Sequence, residues 1–202
     1  MKVIGITGGI GSGKSEVLKH MQKEYGAVIC ETDKTAHQLQ EKGTECYKKI
    51  VKFFGPDILD EEEKINRKCL GNIVFSNPQK MEKLNQIVHP SVKQYVKEQI
   101  ELEKQKGTQY FIIESALLLE DHYELICDEI WYIYVEEKIR RKRLKKSRDI
   151  TDEKITAIIS AQSDEQTLRN YSDVVIDNSG SFEETISQIE IAINRRQIHE
   201  IM

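Results

Sequence analysis

Gly8-Gly9-Ile10-Gly11-Ser12-Gly13-Lys14-Ser15 fits the pattern G-x-x-x-x-G-K-S. The chemistry such a stretch supports is the grip of a polyphosphate. Glycines let the main chain curl until several N–H groups point at one spot. A helix opening at Lys14 would add its unpaired N–H groups and the positive end of its dipole. Lys14 brings a mobile ammonium for the outer phosphates, and the Ser15 hydroxyl suits a magnesium ion. Gly11, Ser12, Gly13, Lys14 and Ser15 are therefore the expected contacts to a nucleoside triphosphate, with Ser15 as the metal ligand. The apolar run Val3-Ile4-Gly5-Ile6-Thr7 supplies the buried strand that must precede such a loop.

Other reactive side chains stand where strands should end. Asp33 follows the apolar run Ala27-Val28-Ile29-Cys30. In a parallel α/β sheet, side chains just past the carboxyl ends of strands face the ligand crevice. Asp33 could reach a second substrate there, or cap a helix starting near Lys34. Glu114 closes the buried run Tyr110-Phe111-Ile112-Ile113. That is where a carboxylate works on magnesium, often through water. Ala116-Leu117-Leu118-Leu119-Glu120 reads as a core-facing helical turn, or as a wall for an apolar part of a substrate. From Lys138 to Arg148, eight of eleven residues are basic. A solvated helix face and a nucleic-acid patch are the ordinary readings. A lid that brings cations over a transferring phosphoryl group fits the position better. Arg67 and His89 stand out in the polar stretch before Tyr110. A lone Arg or His on a polar helix is usually solvated, but Pro90 disfavours helical geometry at His89 and predicts a bend there.

The elements that must position these groups alternate strand and helix. A helix over 14–25 is stopped by Gly26. Strands follow near 27–30, 110–114, 130–135 and 173–178, and an amphipathic helix near 182–196 carries Phe182, Ile186, Ile189 and Ile193 on one side. Some seventy residues of helical texture between the second and third strands are too many for one crossover and must form a subdomain. Gly55-Pro56 and Asn77-Pro78 break it. The expected fold is α/β, a three-layer P-loop sandwich around a five-stranded parallel sheet. Residues 1–33, 108–137 and 166–202 form the nucleotide-binding core, 34–107 a helical acceptor domain and 138–165 a lid.

Bulk properties narrow the class. The chain has 202 residues, 39% hydrophobic and 32% charged, with a net charge of −4. That excludes a generally basic nucleic-acid binder. Cys30, Cys46, Cys69 and Cys127 form no C-x-x-C pair, so free thiols in a reducing cytoplasm are expected. Met1 leads straight into the first strand, leaving no room for a signal peptide. No apolar run is long enough to cross a bilayer. Neither a membrane nor an obligate protein partner is expected. Asp177-Asn178-Ser179-Gly180 matches D-x-x-G, but it lies far past the place a GTPase would need it, and no N-K-x-D occurs. A small-molecule kinase remains, with a nucleotide sensor as the alternative.

The stretch Ile4–Ser15 resembles the opening of dephospho-coenzyme A kinases, and the resemblance runs through the whole chain. Thr32-Asp33 with Ala36-His37 is similar to that family's acidic motif. Asn66-Arg67, Ile73-Val74-Phe75 and Val88-His89-Pro90 resemble its acceptor-domain landmarks. Glu114-Ser115-Ala116-Leu117-Leu118 resembles its third-strand exit. Arg148-Asp149, Ala161-Gln162 and Ser172-Asp173-Val174-Val175-Ile176-Asp177-Asn178 resemble its lid and last strand. The resemblance implies transfer of a phosphoryl group from ATP, with Mg2+, to the ribose 3′-hydroxyl of dephospho-coenzyme A. It implies Asp33 as the general base, with Lys14 and a lid arginine on the developing charge. Arg143 is the best match for that arginine, with Arg140 and Arg148 as rivals. It implies that Thr7, Arg67, His89, Leu117 and Leu118 meet the acceptor alongside Asp33, and that Glu114, Arg148 and Asn178 join the nucleotide contacts. Three departures are visible. Glu31-Thr32-Asp33 stands where the family usually has Asp-Ala-Asp, Glu114 and Ala116 stand where it usually has Asp and Pro, and the lid lacks the usual glutamine.

Overall fold

The structure is a computed structural model that describes residues 1–148, 151–160 and 164–199, without the side chains of 147, 148, 158 and 196–199. Strand β1 (Lys2–Thr7) is buried along its whole length. Its apolar run is continuous rather than alternating because both faces of a parallel sheet are covered. It is the middle strand of a five-stranded parallel sheet, in the order β2-β3-β1-β4-β5. The other strands are β2 (Val28–Glu31), β3 (Tyr110–Glu114), β4 (Glu129–Tyr134) and β5 (Val174–Asp177). Ladder partners such as Ile6 with Glu114 and Ile6 with Trp131 set the register around β1. The expected parallel α/β sandwich is therefore present.

Residues 1–29 with those from Gly107 onward make one compact unit, and Cys30–Lys106 makes another. In the first, helices α1 (Lys14–Tyr25) and α9 (Phe182–His199) cover one face of the sheet. Val17, Leu18 and Met21 of α1 and Ile189, Ala192 and Ile193 of α9 join Ile4, Ile6, Ile112, Trp131, Ile133 and Ile176 in one buried cluster. Removing the Met21 side chain from such a site costs about 2–5 kcal/mol. On the other face the packing is tight enough that a Cβ on Gly5 would lie 2.9 Å from Leu118, Cys127 and Ile130 atoms alike. Leu118 is buried there while Leu117 is 46% exposed. Instead of the expected helical turn, successive tight turns carry the chain past Leu118 to a 3-10 turn at Tyr123–Leu125. The basic stretch is helix α6 (Glu137–Arg148), followed by α7 (Asp152–Ser160) and α8 (Glu165–Tyr171). Leu144 and Ile155 are its apolar anchors, exposed by 1% and 0%.

The second unit holds α2 (Thr32–Leu39), α3 (Glu45–Phe54), α4 (Arg67–Phe75) and α5 (Pro78–Gln105). Their starts are capped as the side chains dictate. Thr44, Asn66 and Asn77 accept from the main-chain N–H groups of Tyr47, Cys69 and Lys80 at 3.1, 3.0 and 3.0 Å. Helix α5 is the spine against which α2, α3 and α4 pack. One reading fails here. Asp33 is not a cap, because β2 runs into α2 with no loop between them. The extended residue Glu31 takes the cap position, and Asp33 falls in the first helical turn. Pro90 lies inside α5, whose 28 residues run on past it, so the helix continues through His89. A proline removes one N–H donor from the ladder. The buried stripe Val88, Val92, Val96 and Ile100 holds the helix in place on both sides of that gap.

Candidate active site

The loop between β1 and α1 is built as its sequence demands. Gly13 caps α1 with φ 87°, a left-handed conformation that disfavours any residue with a Cβ. The Gly13 carbonyl accepts from the N–H groups of Glu16 at 2.9 Å and Val17 at 3.3 Å, starting the helix. Ser12 N–H donates to Gly9 O at 3.0 Å and closes the turn. Ser15 is exposed in the first turn of α1.

Lys14 folds back over the loop. Its ammonium donates to Gly8 O at 2.7 Å and lies 3.5 Å from Glu114 Oε1 at the end of β3. Both side chains are mostly buried, at 15% and 14% exposure. The main-chain carbonyl and the carboxylate hold the cation at one place instead of letting it sample solvent. Next to Glu114, Ser115 N–H donates to Ile6 O at 3.3 Å, so the third-strand exit is fastened to β1. Thr7 is buried at the end of β1. It lines a cavity of about 290 Å³ with Gly8, Gly9, Ala116, Tyr132 and Arg140.

Helix α6 reaches the loop from the other direction. Leu144 and Arg140 side-chain carbons would stand 3.0 and 3.2 Å from a Cβ at Gly11. Arg143 Nη2 donates to the main-chain oxygen of Asn178 at 2.9 Å. Arg141 instead pairs with Glu137 at 2.7 Å, and Lys145 with Asp152 at 2.6 Å. Two polar atoms are buried with no hydrogen-bond partner beside this loop, Ser12 Oγ and Arg140 Nε. Leaving such atoms unpaired costs about 1–3 kcal/mol each, and a polyanion is the ligand that would satisfy both. The Arg148 side chain lies outside the described residues, as do Asp149, Ala161 and Gln162.

Asn178, just past β5, is 2% exposed and faces the loop directly. Its Nδ2 donates to Ser12 O at 2.8 Å, and its Oδ1 accepts from the Thr185 hydroxyl at 2.8 Å. Sequence reading missed Thr185. It lies beside the apolar stripe of α9, where its burial gives no motif to find. Thr7, Gly11, Ser12, Gly13, Lys14, Arg143, Glu114 and Asn178 thus gather around one loop. Leu117 and Leu118 follow on the third-strand exit, with Leu118 turned into the core. Asp33, Arg67 and His89 belong to the helical unit. Asp33 and Arg67 are exposed, in the first turns of α2 and α4, and His89 is half-buried on α5.

No cluster of three or more His, Cys, Asp or Glu side chains fit to hold a metal occurs among the described residues. The oxygen donors present, the Ser15 hydroxyl and the Glu114 carboxylate, suit a hard cation. Such an ion keeps most of its shell as water and phosphate oxygen. Among the described residues no helix is long and apolar enough to cross a membrane. The four cysteines are free thiols.

The family model for dephospho-CoA kinase matches residues 2–184. A dephospho-CoA kinase of Shouchella clausii is 36% identical over 190 residues, covering 94% of this chain and 96% of the relative. One of Enterococcus faecalis is 38% identical over 189 residues, covering 94% of each. The solved dephospho-CoA kinase from Campylobacter jejuni is 26% identical and superposes with a TM-score of 0.70 over 95% of this chain and 98% of that one. A shikimate kinase from Bacteroides thetaiotaomicron, 11% identical with a TM-score of 0.54 over 97% and 98% of the two chains, shares the fold alone. With a phosphate-gripping loop of the required geometry and a family match reaching from the first strand into the last helix, this chain belongs to the dephospho-CoA kinase family.

Proposed function

We propose that the protein transfers the γ-phosphoryl group of ATP to the ribose 3′-hydroxyl of dephospho-CoA, giving CoA and ADP. The observation that carries the phosphoryl chemistry is the Lys14 ammonium, held over the loop by Gly8 O and Glu114. Family membership supplies the acceptor. The 3′-oxygen forms a bond to the γ-phosphorus, the bond from that phosphorus to the β–γ bridging oxygen breaks, and ADP leaves. Asp33 takes the hydroxyl proton. A carboxylate suffices, because the alcohol becomes acidic only as it attacks. What supports Asp33 is chain order, since only Thr32 separates it from Glu31 at the end of β2. Arg67 and His89 hold the acceptor, and Leu117, the exposed leucine of the third-strand exit, is a further contact to it, whereas Leu118 is taken up by the core.

Main-chain N–H groups of the loop bind the phosphates, and Lys14 balances charge on the transferring oxygens. Ser15 and, through water, Glu114 would hold Mg2+, which neutralises charge on the β- and γ-oxygens. One observation favours Arg140 over Arg143 as the lid arginine that meets the γ-phosphate. Arg140 Nε is buried without a partner, whereas Arg143 already donates to Asn178.

ADP release followed in a coupled assay tests the reading, with ATP, magnesium and one acceptor at a time. Turnover is expected with dephospho-CoA and not with a nucleoside monophosphate or shikimate, and it should stop when magnesium is chelated. ATP binding with no turnover on dephospho-CoA would replace the kinase with a nucleotide sensor. Preference for a 5′-phosphate acceptor would replace the substrate.

A further inference from the structure

We infer that Thr185, on α9, is a positioning residue for nucleotide binding: it fixes the Asn178 carboxamide in the one orientation that shapes the phosphate loop. The inference rests on the loop being the nucleotide site.

The geometry runs outward from the loop in two hydrogen bonds. Asn178 Nδ2 donates to Ser12 O at 2.8 Å, and the Thr185 hydroxyl donates to Asn178 Oδ1 at 2.8 Å. A carboxamide can face a carbonyl oxygen only with its NH2 group, and a hydroxyl proton only with its oxygen. Turned by half a rotation, Asn178 would set oxygen against the oxygen of Ser12. The Ser12 carbonyl, which can only accept, sets this orientation, and the Thr185 donation locks it in where water cannot compete. Asn178 is 2% exposed and Thr185 0%. The same hydroxyl lies 3.3 Å from Ser181 O, a longer contact that loses the one hydroxyl proton to Asn178 Oδ1.

What the orientation controls is the peptide between Ser12 and Gly13. Once the Ser12 carbonyl is tied to Asn178, that peptide cannot rotate, and the following N–H is committed to the loop interior. The fit is close, since a Cβ on Gly13 would meet Asn178 Nδ2 at 2.2 Å. The main chain of Asn178 is held as firmly, with its N–H donating to Tyr134 O at 2.8 Å and its carbonyl accepting from Arg143 at 2.9 Å. Both polar ends of the Asn178 side chain are thus engaged inside the protein. Its side chain acts on the nucleotide through Ser12 and Gly13, and Thr185 acts through Asn178. Preorganised loop N–H groups bind phosphate without an ordering cost, which is where the affinity comes from.

The test compares Thr185→Val, Thr185→Ser and Asn178→Asp with the wild type. ATP affinity is measured by calorimetry, and KM for each substrate by steady-state kinetics. Thr185→Val keeps the shape and loses the donor. ATP binding and the KM for ATP are expected to weaken about tenfold, the effect of leaving one buried acceptor unpaired. The KM for dephospho-CoA should stay within about twofold, and Thr185→Ser should restore ATP affinity. Asn178→Asp removes the donor to Ser12 O and should give the same ATP-selective loss, so the inference stays testable if Thr185→Val does not fold. Unchanged ATP affinity in either stable variant would overturn the inference. So would equal loss for both substrates, or no rescue by serine. Failure of the wild type itself to bind ATP would instead overturn the nucleotide site.

Discussion

Replacing Gly13 with alanine separates two costs that the loop combines. At φ 87° a side chain suffers the left-handed penalty, about 1–2 kcal/mol. In addition the new Cβ would lie 2.2 Å from Asn178 Nδ2. Asn178 is buried and tied at both ends, so it cannot yield without breaking its bond to Ser12 O. The unpaired groups left behind cost about 1–3 kcal/mol more. Gly26, at the other end of the same helix, is the control. Its φ is 61°, and a Cβ there meets nothing within 4 Å. Gly26→Ala should therefore lose only the backbone penalty. At about 2–4 °C per kcal/mol for a chain of this size, Tm is expected to fall by about 5 °C in Gly26→Ala and about 10 °C in Gly13→Ala. Thermal unfolding gives the two shifts, and calorimetry should show ATP binding intact in the first and lost in the second. Equal Tm shifts, or full ATP affinity in Gly13→Ala, would refute the claim that Asn178 and the loop form one packed unit.

Asp33→Asn should lose about 10²–10⁴-fold in turnover while its directly measured ATP affinity is unchanged, since only the proton acceptor is removed. Arg140→Ala should cut turnover by a larger factor than Arg143→Ala if the guanidinium with the unpaired Nε is the one that meets the γ-phosphate, and steady-state kinetics on the two variants read this directly. Cys127 gives a pH test. Burial, the largest cause, pushes its thiol from 9.0 up to about 12. The folded state thus favours the neutral thiol, and the stability this gives is complete below pH 9.0 and lost between there and about pH 12. Urea unfolding of Cys127→Ala should lose stability less steeply than the wild type in that window, by about 1.4 kcal/mol per pH unit.

How far these features can be read from residues alone depends on the range of the interaction that makes them. The loop is local. Glycines, lysine and serine at fixed spacing after an apolar run determine the strand, the turn and the start of α1, and all three stand at the expected places. The cap reading of Asp33 fails by two residues, because a preferred cap loses to a strand that passes straight into helix. Pro90 lies inside a helix, with Val88 and Val92 buried on either side of the missing donor. Asn178 was visible as part of a strand exit, but its partner Ser12 is 166 residues away. No periodicity or spacing connects the two. Thr185 is further from view still, since a threonine beside an apolar stripe ordinarily signals nothing. Its meaning comes from the carboxamide it meets.

The loop's main chain and its side chains are in opposite conditions, and the contrast explains how the site can be rigid and receptive at once. The carbonyls of Gly8, Ser12 and Gly13 all have donors, from Lys14, Asn178 and the first turn of α1. The main chain therefore has nothing to gain by rearranging. Ser12 Oγ and Arg140 Nε, by contrast, are buried and unpaired. They are retained at a cost, because the same atoms strengthen any anion that reaches them in a medium from which water is excluded. A loop with unsatisfied carbonyls would relax to pair them and lose its shape. A loop with every side chain satisfied would hold its shape and bind phosphate weakly. Asn178 and Thr185 keep the first condition from arising, and the second leaves Ser12 Oγ and Arg140 Nε ready for a bound anion.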